Sequence, residues 1–316
     1  MRNTARNFRT ALTLVLCATL FLALACAKQK PKLDENAYRR EIDAYRSDRV
    51  KSLTSDDGWL TLVGLYWLQE GENKFGSDPH NTVALPQGKS SSVAGSFFLE
   101  NGNVRIEANP NSGVTSEGKP VTSLALKTDE NAGEPTVLHM GSLSFYVIKR
   151  GDQFGIRVKD SENPPRRQCA GIQYFPTDPR WRVEARFEPY NPQKKIPISN
   201  VLGQTSDEPS PGAIVFEMNG NTYRLDPILE EGNDELFIIF ADQTSGRETY
   251  GAGRFLYVPK PGADNRIVID FNKAYSPPCA FTPYATCPLP PQQNRLAIRV
   301  EAGEKKYEGL GYHEVQ

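Results

Sequence analysis

The densest group of side chains able to do chemistry lies between residues 240 and 304. Three carboxylates stand out in this segment, Asp242, Glu248 and Asp270. Two carboxylates held in unlike environments can act as the acid and the base of a hydrolase that cleaves a glycosidic or similar bond. We therefore treat these three residues as candidate catalytic residues.

The same segment offers side chains that could hold a small polar or glycan ligand. Arginine binds anionic groups through its planar guanidinium, and amide and hydroxyl groups donate and accept hydrogen bonds. The candidate ligand-binding residues are Thr244, Tyr250, Arg254, Asn272, Tyr275, Asn294, Arg295 and Glu304. A structural role is the alternative for each of them. Arg254 could pair across strands, for example, and Asn294 could satisfy buried carbonyls.

Other chemistries lack a motif. The sequence contains no Gly-x-Ser-x-Gly, and no glycine-rich phosphate loop leads from a strand into a helix. Carboxylate oxygens could bind a hard cation, but we assign no metal ligand, and the sequence identifies no cofactor. The net charge is −1 and no basic block stands out, so we expect no nucleic-acid partner.

The hydrophobic pattern predicts a mainly β protein that follows one N-terminal amphipathic helix. Tyr38, Ile42 and Tyr45 recur at helical spacing, which predicts a helix over about 36–53 that docks by this stripe. From Trp59 onward, short runs of alternating, β-branched and aromatic residues are separated by turn signals.

The predicted strands are short and numerous. Examples lie at 181–187 and 196–203, and Asn219-Gly220 is typical of a hairpin turn between two strands. A strand every 8–12 residues or so predicts a barrel- or sandwich-like body of two packed β units.

Several motifs in the chain are shared with a known family. They are Phe240-x-Asp-x-Thr-Ser-Gly-x-Glu-Thr-Tyr-Gly-x-Gly-Arg, Asp270-Phe-Asn-x-Ala-Tyr-x-Pro-x-Cys, Cys287-Pro-Leu-Pro-Pro-x-x-Asn-Arg-Leu and, upstream, Gly58-Trp-Leu-x-Leu-x-Gly-Leu-x-Trp-Leu. On these residues the chain resembles the family called domain of unknown function 1684, over about 38–307. The resemblance implies no activity and transfers no catalytic residue, because the name of the family states that its function is not known.

The first 26 residues have the pattern of a lipoprotein signal peptide. A basic start precedes 15 uncharged residues, 11–25, which are fewer than the ~20 that a membrane-spanning helix needs. The run ends in Leu22-Ala-Leu-Ala-Cys26, which resembles a lipobox, so we expect cleavage before Cys26 and attachment of lipid to its thiol. An ordinary secreted protein cut nearby is the alternative.

Lipid on Cys26 would anchor the protein to a membrane of the cell envelope. In a Gram-negative source an outer-membrane address is favoured, because Ala27 and not Asp follows the cysteine. The predicted organisation is a signal peptide (1–25), a tether (26–36), the helix with a first β unit (37–155) and a second β unit that carries the candidate site (156–316).

Three cysteines remain after the signal peptide and Cys26, namely Cys169, Cys279 and Cys287. Cys279 and Cys287 lie eight residues apart across a proline-rich loop. An exported protein meets an oxidising environment, so we predict a disulfide between these two residues. Two reduced thiols, or a pairing with Cys169, are the alternatives.

Together these features predict a cell-envelope lipoprotein that binds a small polar or glycan ligand in a pocket built from residues 240–304. The alternative is an envelope hydrolase that uses the clustered carboxylates. Catalysis would require those carboxylates to be exposed and to converge in one concave pocket, with separations of ~5–10 Å.

Overall fold

The computed structural model describes residues 33–130 and 134–310. Over these residues the protein is mainly β, with several packed sheets and one long helix near the N-terminus, so the predicted fold class is confirmed. The predicted signal peptide, Cys26 and most of the tether lie outside the described residues. Within those ranges no helix is long and apolar enough to cross a membrane.

The chain divides by its contacts into a unit over 1–40 and a unit over 41–316. Helix α1 spans Glu35–Leu53, as predicted for 36–53. The carboxylate of Asp34 accepts hydrogen bonds at 3.0 Å from two backbone N–H groups of the first turn and so caps the helix. Further along, Tyr45 and Arg49 lie one turn apart on the same face of α1.

Residues 62–160 form two sheets around a shared core. The strands are β1 (Leu62–Trp67), β2 (Gly71–Gly76), β3 (Val83–Ala84), β4 (Gly95–Glu100), β5 (Asn103–Ala108), β6 (Thr115–Ser116), β7 (Lys119–Pro120), β8 (Ser123–Leu126), β9 (Leu138–Met140), β10 (Leu143–Arg150) and β11 (Gln153–Asp160). One sheet has the order β1-β11-β10-β9-β6-β7 and the other β3-β2-β4-β5-β8. Phe75 and Phe97 of the second sheet meet Phe145 of the first, with ring centroids 6.1 and 6.2 Å apart.

The remaining strands form two further sheets after a four-residue helix, α2 (Pro164–Arg167). The strands are β12 (Arg182–Ser199), β13 (Thr205–Met218), β14 (Asn221–Leu225), β15 (Glu235–Phe240), β16 (Arg254–Pro259) and β17 (Arg266–Asp270). Four of them pair in the order β14-β13-β12-β17, and β15 pairs with β16. Asn219 and Gly220 join β13 to β14 with φ of 52° and 76°, so the predicted hairpin turn is confirmed.

The prediction of separate strands at 181–187 and 196–203 is wrong. One long strand, β12 (Arg182–Ser199), contains most of the first range and the start of the second, and its register with β13 shifts between Pro189 and Lys194. A bulge at this point accommodates prolines that cannot donate to a regular ladder.

Strand β11 begins before the predicted domain boundary at 155/156 and ends after it. Its pairings are with β1 and β10, both from the N-terminal half. No sheet of the described chain mixes strands from 62–160 with strands from 182–270. The division into domains stays a prediction.

The sheet of β15 and β16 is buried on both faces. Leu236, Ile238 and Phe240 point into a core shared with β12, β13 and β17, whereas Phe237 and Ile239 belong to a second apolar cluster on the opposite face. Successive side chains of a strand point to opposite faces. This sheet therefore separates the main C-terminal core from the surface on which a pocket forms.

Candidate functional site

Asp242 and Arg254 lie in a closed, buried network. The Asp242 carboxylate accepts hydrogen bonds from Thr244 Oγ1 at 2.8 and 3.0 Å and from the backbone N–H of Val300. It also pairs with Arg254 Nη2 at 3.4 Å, and Arg254 donates to the carbonyls of Val300 and Ala302. Burial lowers the pKa of Arg254 against the opposing charge of Asp242. The network fastens two segments of backbone together, and neither charged group faces solvent.

Asn272 and Asn294 each hold a distant segment of backbone. Asn272 donates to the carbonyl of Asp178 at 2.9 Å and accepts from its N–H at 3.1 Å, and Asp270 accepts from the N–H of Asn272 at 3.1 Å. Asn294 donates to the carbonyl of Asp226 at 2.9 Å and accepts from its N–H at 2.7 Å. Both asparagines are buried. These contacts correspond to the structural alternative for the two amides.

The other residues of segment 240–304 are dispersed. Glu248 pairs at the surface with Arg299, at 2.5 Å, and Arg295 is exposed. Tyr250 is buried, and its hydroxyl donates to the carbonyl of Cys279 at 3.1 Å.

The three candidate catalytic carboxylates therefore have different partners. Asp242 bonds to Thr244 and Arg254, Glu248 to Arg299, and Asp270 to Asn272. Carboxylates that share a hydrolytic reaction must face one cleft. Although these three residues are close in sequence, the fold places them in different surroundings.

The structure shows no disulfide between Cys279 and Cys287, which are free, buried thiols, and Cys169 is a free, half-buried one. The disulfide stays a prediction. The backbone N–H of Cys279 donates to Cys287 Sγ at 3.0 Å, so the two residues are neighbours. The hydrogen bond with Cys287 lowers the pKa of the Cys279 thiol, whereas burial raises the pKa of the Cys287 thiol well above its usual value.

A recess of about 410 Å³, lined almost entirely by aromatic rings, opens beside β15 and β16. We call it the aromatic pocket. Its lining residues are Tyr45, Arg49, Trp59, Phe237, Phe255, Tyr257, Tyr275 and Pro278. The volume lies at the lower end of the range of small-molecule sites, roughly 300–1,000 Å³. Of the residues predicted from the sequence, Tyr275 lines it.

Elements far apart in the chain build this pocket. Helix α1 contributes Tyr45 and Arg49, and the outer face of the β15–β16 sheet contributes three rings. Tyr275 follows β17, and its backbone exchanges hydrogen bonds of 3.0 and 2.8 Å with Phe255 of β16. The strand pairing thus fixes the position of Tyr275 against the sheet.

Among the described residues, Arg49 is the one charged side chain that lines the aromatic pocket. Its Nε donates to Glu304 Oε1 at 2.9 Å and its Nη2 to the carbonyl of Ser276 at 3.0 Å, while Nη1 has no partner in ranges 33–130 and 134–310. The guanidinium lies 4.8 Å from the centre of the Tyr275 ring. Burial acts to lower the pKa of Arg49, but the charge and hydrogen bond of Glu304 raise it overall. Arg49 therefore stays charged.

Glu304, a predicted ligand-binding residue, acts here through Arg49. Its side chain is buried, and its second oxygen accepts from the N–H of Ser276 at 2.7 Å. Both carboxylate oxygens are thus used to hold Arg49 and the backbone beside it.

The tyrosines of the aromatic pocket give it flat walls with polar edges. The rings of Tyr257 and Tyr275 are nearly parallel, at 15° and 6.5 Å, and Tyr257 stacks on Phe237 at 4.9 Å. The Tyr257 hydroxyl donates to Glu230 Oε2 at 3.0 Å, and the Tyr45 hydroxyl donates to a backbone carbonyl at 2.8 Å. Burial raises the pKa of all three hydroxyls, so they stay protonated donors at neutral pH.

A larger recess, of about 750 Å³, borders segment 240–304 on another side and is lined by Trp181, Gln243 and Arg299 among others. Arg299 is already paired there with Glu248 and Glu301. Such exposed pairs are weak and are screened by salt. Arg299 is thus an exposed and already paired charge, unlike the fixed polar group among apolar walls that typifies a ligand site.

The side chains that line the aromatic pocket are suited to binding a ring-shaped ligand. No carboxylate or histidine is among its described lining residues. Aromatic faces pack on the apolar face of a ring, and a guanidinium binds oxygen atoms in its plane. The part of the chain that the structure describes contains no group of acidic, histidine and cysteine side chains arranged to hold a metal ion.

Most of the pocket is missed by reasoning from the sequence alone. Arg49, Trp59 and Tyr257 are not among the site residues predicted from the sequence. The available signals were the one-turn spacing of Tyr45 and Arg49 and the period-two pattern of β16. Neither signal tells which residues from distant segments meet.

Three comparisons with known proteins give the following. Residues 167–305 match the model of a family described as protein of unknown function (DUF1684), which is a shorter match than the predicted 38–307. An uncharacterized protein of Haloarcula marismortui, solved by solution NMR, is 30% identical over 45% of this chain and 80% of its own, with a TM-score of 0.38. No curated protein matches the chain.

Proposed function

The chain belongs to the DUF1684 family, and we propose that it is a cell-envelope lipoprotein that binds a small polar or glycan ligand in the aromatic pocket. The observation that carries the proposal is the placement of Arg49. It is a fixed cation among aromatic walls, with Nη1 not engaged by the described chain. Ligand sites typically combine apolar walls with a few placed polar groups.

The walls of the pocket favour a ring-shaped ligand with hydroxyl or acidic groups. The nearly parallel rings of Tyr257 and Tyr275 can pack on the carbon–hydrogen face of a sugar ring. Arg49 can then bind an oxygen at the edge of that ring. Because Glu304 holds Arg49 before any ligand arrives, little side-chain entropy is lost on binding.

Binding is favoured over the alternative, hydrolysis of a glycan or other small polar substrate. Asp242 is buried and fully engaged, and Glu248 lies at the surface in an ion pair. Neither these residues nor Asp270 line the aromatic pocket. No observation places two free carboxylates across one cleft.

The lipoprotein part of the proposal comes from residues 1–26. A basic start, a short apolar run and the lipobox-like end at Cys26 support export and lipid attachment. Two acyl signals anchor a protein stably where one does not. The proposed address is a membrane of the cell envelope, and the outer membrane in a Gram-negative cell.

The anchor is tested by fractionation of cells that express Cys26→Ser or the unchanged protein. We expect the unchanged protein in the membrane fraction, labelled by radioactive palmitate, and Cys26→Ser without label in the soluble fraction. Cys17→Ser is the matched control and should keep both the label and the membrane address. Membrane retention of unlabelled Cys26→Ser would contradict lipid anchoring.

The pocket is tested by isothermal titration of the full chain in detergent micelles with glucose, galactose, N-acetylglucosamine and glucuronate. We expect saturable binding of at least one of these sugars. Trp59→Ala should weaken that binding at least tenfold, because it removes one aromatic wall. Trp67→Ala is the matched control, since Trp67 is also half-buried but does not line the aromatic pocket.

Two results would contradict the proposal. Absence of binding to the whole panel, or equal loss in Trp59→Ala and Trp67→Ala, would reject the aromatic pocket as a glycan site. Circular dichroism of both variants shows whether they are folded.

A further inference from the structure

A second recess lies next to the aromatic pocket. It has a volume of about 330 Å³ and is lined by Arg150, Gln204, Thr286 and Glu230, with Phe237 in its floor. We call it the polar cleft. Phe237 lines both recesses, so they lie next to each other.

The hydrogen bonds around Phe237 join the two recesses. On one side the ring of Phe237 stacks on Tyr257 of the aromatic pocket, with centroids 4.9 Å apart. On the other side its backbone exchanges hydrogen bonds of 2.7 and 2.9 Å with Ile228 of the polar cleft. The hydroxyl of Tyr257 reaches across to Glu230 at 3.0 Å. The two recesses are therefore neighbours on one surface.

The polar side chains of the cleft are held in place before any ligand arrives. Arg150 makes a two-pronged pair with Asp129 at 3.0 and 2.8 Å, and its Nε donates to Thr286 Oγ1 at 3.1 Å. The Gln204 amide donates to Gln153 at 2.9 Å and to the carbonyl of Arg150 at 3.2 Å. The Thr286 hydroxyl keeps its own proton, and Gln204 Oε1, which accepts from Asn200 Nδ2 at 3.0 Å, keeps one lone pair. Both groups can therefore pair with ligand hydroxyl groups at little further ordering cost.

The two recesses have complementary chemistry. The aromatic pocket offers stacking faces and one cation, whereas the polar cleft offers amide, hydroxyl and carboxylate groups around an apolar floor. Each volume is near the lower limit for a small-molecule site. A single sugar ring would use one recess and leave the other to water.

Building on the proposed function, we infer that the ligand is a linear oligosaccharide of at least two sugar units that lies across Phe237. One unit stacks in the aromatic pocket beside Arg49. The next unit places its hydroxyl groups against Gln204 and Thr286 in the polar cleft. The site thus recognises a glycan chain by two adjacent units.

The test is titration of the full chain in detergent micelles with N-acetylglucosamine and its oligomers of two, three and four units, and with the matching glucose series. We expect affinity to rise at least tenfold from one unit to two in the series that binds. Gln204→Ala should abolish that rise. Thr286→Val is a second variant for the same effect, because it keeps the shape and removes the hydroxyl.

Matched controls separate this effect from loss of structure. Gln292→Ala changes an exposed glutamine that lines neither recess, and it should keep the full rise with length. Trp59→Ala should weaken binding of single units and of oligomers alike.

The outcomes distinguish the two claims. Binding of a single unit with no gain from a second unit would overturn this inference and leave the proposed function standing. A gain that persists in both Gln204→Ala and Thr286→Val would also overturn it. Absence of binding to every sugar would reject the proposed function itself.

Discussion

Two arginine–carboxylate pairs in this protein differ in their surroundings. The side chains of Arg254 and Asp242 are both 0% exposed, and Arg254 also donates hydrogen bonds to two backbone carbonyls. The side chains of Arg49 and Glu304 are 14% and 1% exposed, and Arg49 lines the aromatic pocket. An arginine–carboxylate pair enclosed by backbone, such as Arg254–Asp242, stabilises the fold. A pair whose arginine lines a recess, such as Arg49–Glu304, is a candidate for ligand binding.

The two pairs should also differ in how much they contribute to stability and to ligand binding. Removing one partner of a fully buried pair leaves an uncompensated charge in the interior and is strongly destabilising. Removing an arginine whose edge reaches a recess costs less stability, because water can solvate the carboxylate in part. Stability and ligand affinity should therefore respond differently to changes at Arg254 and Arg49.

The largest expected effect is on folding, for Arg254→Met. The substitution leaves Asp242 charged and buried, and such breaks cost about 3–5 kcal/mol. Urea unfolding followed by circular dichroism measures the loss. Arg295→Met, in the same segment but exposed, is the control and should change little. Equal stability of the two variants would remove the distinction between the pairs.

The next effect is expected for Arg49→Met. Loss of the partner of Glu304 should lower the free energy of unfolding by about 2 kcal/mol, less than in Arg254→Met. Sugar binding measured by titration should be abolished. Arg49→Lys should recover most of the stability but only part of the affinity, because an ammonium lacks the planar set of donors. Full affinity in Arg49→Met would show that the cation plays no part in binding.

A smaller effect is expected from pH, through Tyr275. Burial raises the pKa of Tyr275 above the value of about 10 for a free phenol. The unfolded chain then loses the proton first as the pH rises, so stability is fully present below pH 10 and declines above it. Urea unfolding between pH 8 and pH 11 should show a shallower decline for Tyr275→Phe. Identical slopes would indicate that Tyr275 titrates as a free phenol.

The smallest effect concerns the thiols and changes no stability. In a Cys17→Ser, Cys26→Ser chain, a colorimetric thiol reagent should react rapidly with one group, the half-buried Cys169. Three groups should react in denaturant if Cys279 and Cys287 are free. One group in denaturant would instead show the disulfide predicted from the sequence.

Local features of the fold could be predicted from the sequence. The amphipathic stripe gave the helix that ends at Leu53, and Asn219-Gly220 gave the hairpin turn, because both depend on neighbours a few residues apart. The ends of strand β12 could not be predicted, since Pro189 and Pro192 are typical of an interruption, whereas pairing with β13 continues on both sides of a bulge between Pro189 and Lys194.

The site was predicted less well, for a physical reason. Chemically able residues that are close in sequence, such as Asp242 and Arg254, proved to bond to backbone and to one another. The aromatic pocket instead joins Tyr45 to the segment at Lys273, a separation of 228 residues. Residue types reveal which groups can react or bind, but long-range packing decides which of them reach a surface.

The alternation along β15 has a consequence for how the protein tolerates sequence change. Leu236 and Ile238 serve the core, whereas Phe237 serves the two recesses. A saturation scan of this strand should be scored for folding and for sugar capture. Folding scores should fall on both faces, because Ile238 and Ile239 are both buried. Sugar capture by the variants that fold should fall only at the odd positions, which face the two recesses. The even positions would then constrain folding alone, whereas the odd positions would constrain both folding and capture.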